Sequence, residues 1–210
     1  MAPVRFRAAE ERDAAEVALL HADSWRRHYR GAYADAFLDG DVVADRRAVW
    51  SARLANPAPD VPTIAAATIV AEDDRGLAGF VHVVLDEDPR WGSLVDNLHV
   101  AHTHRRAGIG TALMSRAVAV IGERAASPAM YLWVLEQNTA AQEFYRSIGG
   151  TCVEKVKVGP PGGDPARLNG SPDKLRMAWP DAVGSTSAGS DATRSDATTS
   201  DATTSASAAG

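Results

Sequence analysis

The sequence predicts an α/β protein in which a mixed β-sheet is flanked by helices. Two observations carry this prediction: the first half of the chain contains two β-rich runs joined by a short polar turn, and in its second half apolar strands alternate with amphipathic helices. A third observation sets the limits of the domain. Residues 181–210 are almost entirely Ala, Ser, Thr, Asp and Gly, which cannot form a hydrophobic core. We therefore expect one domain over residues 1–180 and a disordered tail over residues 181–210.

The composition is that of a globular protein. With 45% hydrophobic and 23% charged residues, the chain is neither collagen-like nor wholly disordered, and one Cys excludes a disulfide framework. A domain of this length buries roughly 70% of its unfolded surface without metals or disulfides. Without the tail the acidic and basic residues number 23 and 21, a near-balance that predicts no nucleic-acid partner.

The sequence also predicts a cytoplasmic protein. No stretch approaches the roughly twenty apolar residues that cross a bilayer, and no apolar run follows the first basic residues, so neither a membrane partner nor secretion is expected. Cys152 has no second cysteine to pair with, which fits a reducing compartment.

The first elements are a strand and two helices. Apolar and basic residues alternate in Val4–Arg7, which predicts a short half-buried strand. Asp13 stands where an N-cap would precede a helix. The apolar positions of that helix are Val17, Leu20, His21 and Trp25. Gly31 and Gly40 interrupt the next stretch, and a second helix is predicted from Asp41 to about Leu54, ending before Asn56-Pro57.

The remaining strands and helices follow in a regular order. Apolar β-rich runs predict strands at 64–71, 79–85, 94–100, 130–135, 151–158 and 174–179. The polar residues 72–76 predict a hairpin turn between the first two. Helical spacing predicts helices over 108–123 and 139–148, the second ending at Gly149-Gly150. The Gly- and Pro-rich residues 159–172 predict a long loop.

A basic, glycine-containing turn joins the strand at 94–100 to the helix that follows. Gly108 and Gly110 let backbone approach a phosphate, and the first N–H groups of the helix favour negative charge. A Walker A loop would need Gly-Lys followed by Ser or Thr, and a dinucleotide fingerprint would need Gly where Leu113 stands, so both nucleotide motifs fail. The alternative is that the glycines only cap and pack this turn.

A second motif follows the strand at 130–135, and the two together resemble the GCN5-related N-acetyltransferase (GNAT) superfamily. The acetyl-coenzyme A signature of that family, Gln/Arg-x-x-Gly-x-Gly/Ala, matches Arg105, Gly108 and Gly110. The later family pattern matches Asn138, Ala141, Phe144, Tyr145 and Gly149. The chain departs from the family at His102, where Pro is frequent, at Arg106, where Gly is common, at Ala107, where a basic residue is frequent, and at Gly150, where an aromatic is frequent.

The resemblance implies a GNAT-like fold: a mixed, mostly antiparallel sheet of six or seven strands, flanked by helices and splayed at its central parallel strands. It implies acetyl-CoA as co-substrate and no metal, with the pantetheine arm pairing like an extra strand and the Val100 N–H polarising the thioester carbonyl. The coenzyme-binding residues are then Leu98, His99, Val100, Arg105, Arg106, Ala107, Gly108, Ile109, Gly110, Thr111, Asn138 and Tyr145. Asn138 is equally suited to cap the helix it precedes. We expect His102 and His104 beside the phosphates.

Two residues are the candidates for proton transfer. The resemblance makes Tyr145 the general acid that donates to the leaving thiolate; the alternative is a core tyrosine. Leu94 occupies the strand position where many relatives carry a Glu base, which leaves Asp96 as the candidate base. The alternatives for Asp96 are a structural carboxylate that holds neighbouring backbone or an Arg, and a chain of waters in place of a base.

The acceptor is expected to be a primary amine, either of a small molecule or of a protein. Trp25, Tyr29 and Tyr33 belong to the segment that forms the acceptor-side wall in the family, where their rings either sandwich the acceptor or fill core. The acidic segment Asp86–Asp88 is a weak indication of a cationic acceptor. Alternatives are transfer of another acyl group and an acyl-CoA sensing module. Either a monomer or a homodimer fits the sequence.

Overall fold

The computed structural model describes residues 3–55 and 65–184, and the fold below refers to these. The strands are β1 (Arg5–Ala8), β2 (Ala66–Asp73), β3 (Gly76–Asp88), β4 (Gly92–Val100), β5 (Met130–Leu135), β6 (Thr151–Lys157) and β7 (Asp173–Trp179). The α-helices are α1 (Ala14–His28), α2 (Asp35–Asp39), α3 (Val42–Leu54), α4 (Ile109–Arg124) and α5 (Thr139–Ser147).

The strands form one sheet in the order β1-β2-β3-β4-β5-β7-β6. Every neighbouring pair is antiparallel except β4 and β5, which run parallel. These two strands pair only at Ser93↔Met130 and Leu94↔Tyr131, at the beginning of each strand, and then diverge. The predicted fold class, a mostly antiparallel seven-stranded sheet flanked by helices and splayed at its central parallel strands, is confirmed.

Helices cover both faces of the sheet. The core on one face joins α4 and α5 to the strands, with Leu113, Ile121, Leu132 and Met177 among its fully buried side chains. On the other face α1 packs over β3 and β4, where Val17 of α1 and Trp50 of α3 meet Phe80. A further cluster lies around Trp25, Tyr33 and Leu38, between α1 and α2. These layers hold the diverging ends of β4 and β5 in place.

Several predicted boundaries shift. β2 and β3 extend through most of the predicted polar turn, which leaves only Asp74 and Arg75 between them. The short α2 was not predicted, because glycines on both sides of it favoured a loop. The 159–172 loop contains two short 3₁₀ turns and is fixed to the α1–α2 connection: the Ala34 N–H donates to the Arg167 oxygen and the Asn169 N–H to the Ala32 oxygen (both 2.9 Å).

Asp13 precedes α1 as predicted, but its carboxylate caps no N–H of that helix. It accepts hydrogen bonds from Arg7 (2.6 and 2.9 Å) and from the Glu10 N–H (2.8 Å) instead, which ties β1 to the segment before α1. The Arg7 guanidinium lowers the pKa of this carboxyl. The predicted N-cap position of Asp13 is therefore confirmed, although its side chain does not cap the helix.

The described part of the chain continues past the predicted domain end at residue 180. Ala182 is 2% exposed and its N–H donates to the Pro128 oxygen (3.1 Å), while Val183 packs against the core near Gly122. From residue 185 on, the tail that was predicted to be disordered lies outside the described residues. The predicted helix end at Asn56-Pro57 and the predicted strand start at Ile64 lie outside them as well. None of the described helices is both long and apolar enough to span a membrane.

Candidate active site

A cavity of about 420 Å³ opens where β4 and β5 diverge. Its walls come from the ends of β4 and β5, the β4–α4 loop, α5 and the last turn of α1. Of the predicted coenzyme-binding residues, all but Ala107 border it: Leu98, His99, Val100, Arg105, Arg106, Gly108, Ile109, Gly110, Thr111, Asn138 and Tyr145. Ala107 is exposed on the same loop. The two sequence motifs therefore meet at one cavity.

The backbone of β4 presents free hydrogen-bonding groups to this cavity. In an antiparallel pair, a residue that bonds to its partner strand is followed by one whose N–H and C=O point the other way. The Ala101 N–H donates to the Ala78 oxygen of the β3 side (2.8 Å), and the register continues without a break back to His99 and beyond. By this alternation, the backbone groups of Leu98 and Val100 face the gap, where β5 no longer pairs with them.

The β4–α4 loop presents unpaired N–H groups at one end of the cavity. Arg106 (φ 63°) and Gly108 (φ 75°) adopt left-handed backbone conformations, and α4 begins directly after Gly108. The first N–H groups of a helix have no partner within it, and the helix dipole places partial positive charge there. This end of the cavity therefore suits a pyrophosphate.

Neither glycine of the motif is explained by packing inside the protein. A methyl group at Gly108 would have no neighbour within 4 Å, and one at Gly110 would touch Phe144 and Val100 at ordinary distances of 3.6 and 3.8 Å. Gly108 is needed for its left-handed backbone, which costs other residues about 1 kcal/mol or more. Gly110 borders the cavity without a side chain, as close approach of a ligand to the backbone requires.

His104 borders the cavity, but its ring is already engaged. The ring is 5% exposed, with Nε2 donating to Asp73 Oδ2 (2.8 Å) and Nδ1 lying 2.9 Å from Thr103 Oγ1. The bond from His104 lowers the pKa of Asp73 to about 2. His104 thus ties the β4–α4 loop to the β2–β3 turn. His102 is exposed and does not border the cavity.

The His99 ring lies on the α1 side of β4. Its Nδ1 is 2.8 Å from Ser24 Oγ of α1, and its ring centroid is 4.5 Å from that of His21. Burial lowers the pKa of His99 to about 3, so the ring is neutral at pH 7. Because the backbone of His99 faces β3, only its ring is available to a ligand.

The Tyr145 hydroxyl is directed to the cavity rather than used within the core. Its side chain borders the cavity and is 9% exposed, with the ring against Phe144 and Trp179. No hydrogen bond joins the hydroxyl to another described residue. Burial raises the pKa of Tyr145 above its ordinary value, so the hydroxyl is protonated at neutral pH. It remains a free donor.

The predicted helix cap at Asn138 is confirmed, and its contact with the coenzyme stays a prediction. Its Oδ1 accepts a hydrogen bond from the Ala141 N–H (3.2 Å), which caps α5, and the residue also borders the cavity. The cap fixes the first turn of α5 and with it the side of the helix that Tyr145 presents to the cavity.

Asp96 does not border the cavity. Its carboxylate pairs with Arg53 of α3 (2.7 Å) and accepts from Asn97 Nδ2 (2.6 Å). The residue is the extra one in a β-bulge, since the register passes from Val83↔Val95 to His82↔Asn97. The geometry is that of a structural carboxylate held by an arginine, which was the alternative for this residue.

Only one of the three predicted acceptor-wall aromatics borders the cavity. Trp25 and Tyr33 are 7% and 8% exposed and pack against each other in the core, at 5.0 Å between ring centroids. Tyr29 stacks on Trp25 and turns its other side to the cavity. The remaining acceptor-side groups were not predicted from the sequence: Ser24, His28 and Trp133. The four-residue spacing of Ser24 and His28 was the available signal, because it places both on one side of a helix.

The acidic segment at the end of β3 is engaged in bonds of its own. Asp86 accepts from the N–H groups of Ala126 and Ser127 (2.9 and 3.1 Å), and Glu87 accepts from the Tyr131 hydroxyl. Asp88 accepts from two backbone N–H groups and lies 3.6 Å from Arg176. The segment therefore stabilises the sheet end and gives no support to a cationic acceptor. Among the described residues, no group of three or more His, Cys, Asp or Glu side chains is arranged to hold a metal.

Comparison with known proteins places these features in a family. The sequence profile of the "Acetyltransferase (GNAT) family" matches residues 5–149. No curated protein matches the sequence. Among solved structures, the PaiA N-acetyltransferase of Thermoplasma acidophilum in complex with coenzyme A is 15% identical with a TM-score of 0.63, over 84% of this chain and 99% of that one. The yncA protein of Salmonella typhimurium with acetyl-CoA is 20% identical with a TM-score of 0.58, over 85% and 94%. Nourseothricin acetyltransferase is 25% identical with a TM-score of 0.56, over 85% and 98%.

Proposed function

This chain belongs to the GNAT acetyltransferase family and is an acyltransferase that uses acetyl-CoA, and we propose that it moves the acetyl group to a primary amine by direct attack in a ternary complex. One observation carries the proposal: the free backbone edge of β4, the N–H groups before α4 and the Tyr145 hydroxyl all face the same cavity. Bound there, acetyl-CoA supplies an acetyl thioester. The chain's own residues must then position it, stabilise developing charge and manage two protons.

Positioning is the task of the backbone. The N–H groups at the start of α4, from Gly108 to Thr111, hold the pyrophosphate, and the edge groups of Leu98 and Val100 pair with the pantetheine amides. In this arrangement the Val100 N–H donates to the thioester oxygen, where negative charge develops during attack. A preorganised backbone donor of this kind needs no rearrangement as the reaction proceeds.

Tyr145 serves the leaving thiolate. Thiols resembling the Cys side chain have a pKa near 8.5. Because burial raises the pKa of Tyr145, complete proton transfer to such a thiolate is unfavourable, while hydrogen-bond donation from a protonated hydroxyl is favourable. We therefore assign Tyr145 the role of a donor that stabilises the thiolate as it leaves.

The proton of the attacking amine leaves through water. Asp96 was the predicted base, but its carboxylate is held by Arg53 and contributes no atom to the cavity. A water path that ends at Asp96 keeps a role for this residue without direct contact with the amine. In the alternative, a chain of waters carries the proton away without Asp96 at its end.

A small-molecule amine is proposed as acceptor in preference to a protein. The acceptor side of the cavity is bounded by Ser24, His28 and Tyr29, which leaves limited space beside the gap. A structure 25% identical to this chain is named for nourseothricin. Transfer of another acyl group and an acyl-CoA sensing role remain the competing functions, which the experiment below separates.

The test is calorimetric titration with acetyl-CoA, followed by thiol release across a panel of amines. Gly110→Val is the blocking variant, because the added side chain lies at the cavity wall beside Val100 and Phe144 and narrows the phosphate end, while the helical backbone accepts it. Ala119→Val is the matched control, an exposed position on the same helix. We expect binding that Gly110→Val weakens at least tenfold, and release with one or more amines. Binding of acetyl-CoA without thiol release for any amine would favour the sensing function. Thiol release only with longer acyl-CoA donors would mean that the transferred group is not acetyl.

A further inference from the structure

One part of the sheet next to the cavity carries cations and aromatic rings in place of a helix layer. On the side of the sheet where α1 packs over β3 and β4, strands β5 and β7 present Trp133, Lys174 and Arg176, which we call the cation–aromatic face. Trp133 and Arg176 are register partners, and the Arg176 and Lys174 cations lie 4.4 and 4.3 Å from the Trp133 ring centroid. Trp133 also borders the active-site cavity. The face thus adjoins the acceptor side of the gap.

The carboxylates around this face are already bound. Glu154 of β6 accepts from Arg176 Nε (2.7 Å), and Asp88 accepts from two backbone N–H groups in addition to its contact with Arg176. Asp96, on the other side of the gap, pairs with Arg53. A positively charged acceptor would therefore find no free carboxylate here.

Lys174 is the exception among the charges of this face. Its ammonium makes no hydrogen bond or ion pair with any described residue, and its only close polar contact is with the Trp133 ring. The side chain is partly buried, and that burial lowers the pKa of Lys174. Asp96 and Glu154 attract Lys174 only at longer range, and neither carboxylate is in contact with its ammonium. A partly desolvated cation without a counter-ion in contact is unfavourable unless a ligand supplies one. Both lysines of the neighbouring strand β6 have such a contact, since Lys155 and Lys157 pair with Asp173.

The position of Lys174 relates it to the attacking amine. In the parallel register that starts at Leu94↔Tyr131, Trp133 is the residue of β5 that would stand opposite Asp96 if the pairing continued. Trp133 borders the gap from the β5 side and the His99 ring borders it from the β4 side, while Lys174 does not border the cavity itself but lies against the Trp133 ring. A compound whose amine enters the gap and whose body lies along Trp133 can bring a second group to Lys174.

We propose that Lys174 binds a carboxylate of the acceptor, so that the acceptor is a small amine that also carries a carboxylate, a compound of the amino-acid type. This inference rests on the proposed function, since it concerns the acceptor of that reaction. Lys174 is a specificity-determining residue with no part in the bond changes. Trp133 positions its ammonium through the cation–π contact.

The test compares acceptors that differ only in the carboxylate, namely a panel of amino acids with the corresponding decarboxylated amines and α-amides. For the unchanged protein we expect kcat/KM at least tenfold higher for the carboxylate member of each pair. Lys174→Met keeps most of the apolar stem and removes the charge. It should raise KM for the carboxylate acceptors ten- to a hundredfold with kcat nearly unchanged, and leave the decarboxylated amines unaffected. Lys174→Arg should restore much of the loss, and Lys157→Met is the matched control on β6.

The outcomes separate this inference from the function it rests on. If decarboxylated amines are acetylated as well as the amino acids, or if Lys174→Met changes both acceptor classes equally, the carboxylate site is wrong while the acetyltransferase stands. A changed molecular mass of Lys174→Met in solution with unchanged KM would make the face an interface between copies and also overturn the inference. If no amine of either class releases thiol although acetyl-CoA binds, the proposed transfer to amines fails, and this inference fails with it.

Discussion

Tyr145 lies at the boundary between the core and the cavity. Its ring packs against Trp179 and its hydroxyl faces the cavity. Its place in the Asn138–Gly150 pattern predicts a catalytic role, while its position beside Phe144 is equally suited to a core residue. Asp96, in contrast, has an environment that the sequence did not predict. Its partner, Arg53, lies on a helix distant in sequence, and no local pattern could have identified that ion pair.

Replacing Tyr145 by Phe should lower kcat on the order of a hundredfold while acetyl-CoA binding stays nearly intact. The free energy of unfolding should change little, because the hydroxyl has no hydrogen-bond partner among the described residues to leave unsatisfied. Steady-state thiol release, calorimetry and urea unfolding measure the three quantities. Tyr33→Phe, at a core tyrosine away from the cavity, is the comparison. An unchanged kcat in Tyr145→Phe would remove this residue from the chemistry.

At the scale of elements, strand and helix positions followed from hydrophobic period and from Gly and Pro, whereas the bulge in β4 did not. Alternation along a regular strand would put Asp96 and Leu98 on the same face. The extra residue at Asp96 shifts the alternation of side chains, so that Asp96 and Leu98 point to opposite faces of the sheet. Asp96 therefore pairs with Arg53 of α3, while Leu98 packs into the core under α4. A bulge depends on pairing with β3, and a single strand's sequence carries little signal for it.

The packing of α1 and α3 against β3 and β4 buries His21 and His82 and half-buries His99, and this predicts a pH-dependent stability. Burial lowers the pKa of His82 to about 4 and of His99 to about 3, and it lowers the pKa of His21 as well. The unfolded chain binds protons at these residues near pH 6.5, whereas the folded chain does not, so stability is complete above that pH and falls as the pH decreases. We expect the free energy of unfolding to drop by roughly 3 kcal/mol between pH 7.5 and 5.5 in urea titrations.

Two variants check the origin of that drop. His82→Gln removes one buried ring and should reduce the pH-dependent loss by about 1 kcal/mol. His102→Gln, at an exposed histidine, should leave it unchanged. Equal pH dependence in both variants would trace the effect to other groups, the carboxylates first.

At the scale of the whole molecule, the order of the elements and the family resemblance together predicted the sheet, and both sequence motifs border one cavity. The rest of the cavity wall was predicted less well, because it is assembled from side chains that are far apart in sequence. Ser24 of α1, Tyr29 directly after that helix and Trp133 of β5 come together only through the sheet order. Which aromatic residue at the end of α1 borders the cavity depends on the tilt of that helix, which composition does not encode.

The end of the domain can be tested by shortening the chain. The core continues past residue 180 through Ala182 and Val183. A chain that ends at residue 180 should lose roughly 2 kcal/mol of unfolding free energy relative to one that ends at 184, because the Val183 side chain no longer covers α4. The chain that ends at 184 should match the full-length protein in urea unfolding. Equal stability of both shortened chains would place the end of the domain at residue 180.

The divergence of β4 and β5 has a mechanical consequence. Only two residue pairs join strands β1–β4 to strands β5–β7. Beyond these pairs, the two halves of the sheet are held together mainly by side-chain packing. A molecule that places an extended arm along this gap can supply the backbone hydrogen bonds that β4 and β5 do not make with each other. On the proposed function, acetyl-CoA fills this gap, and we expect its binding to raise the free energy of unfolding.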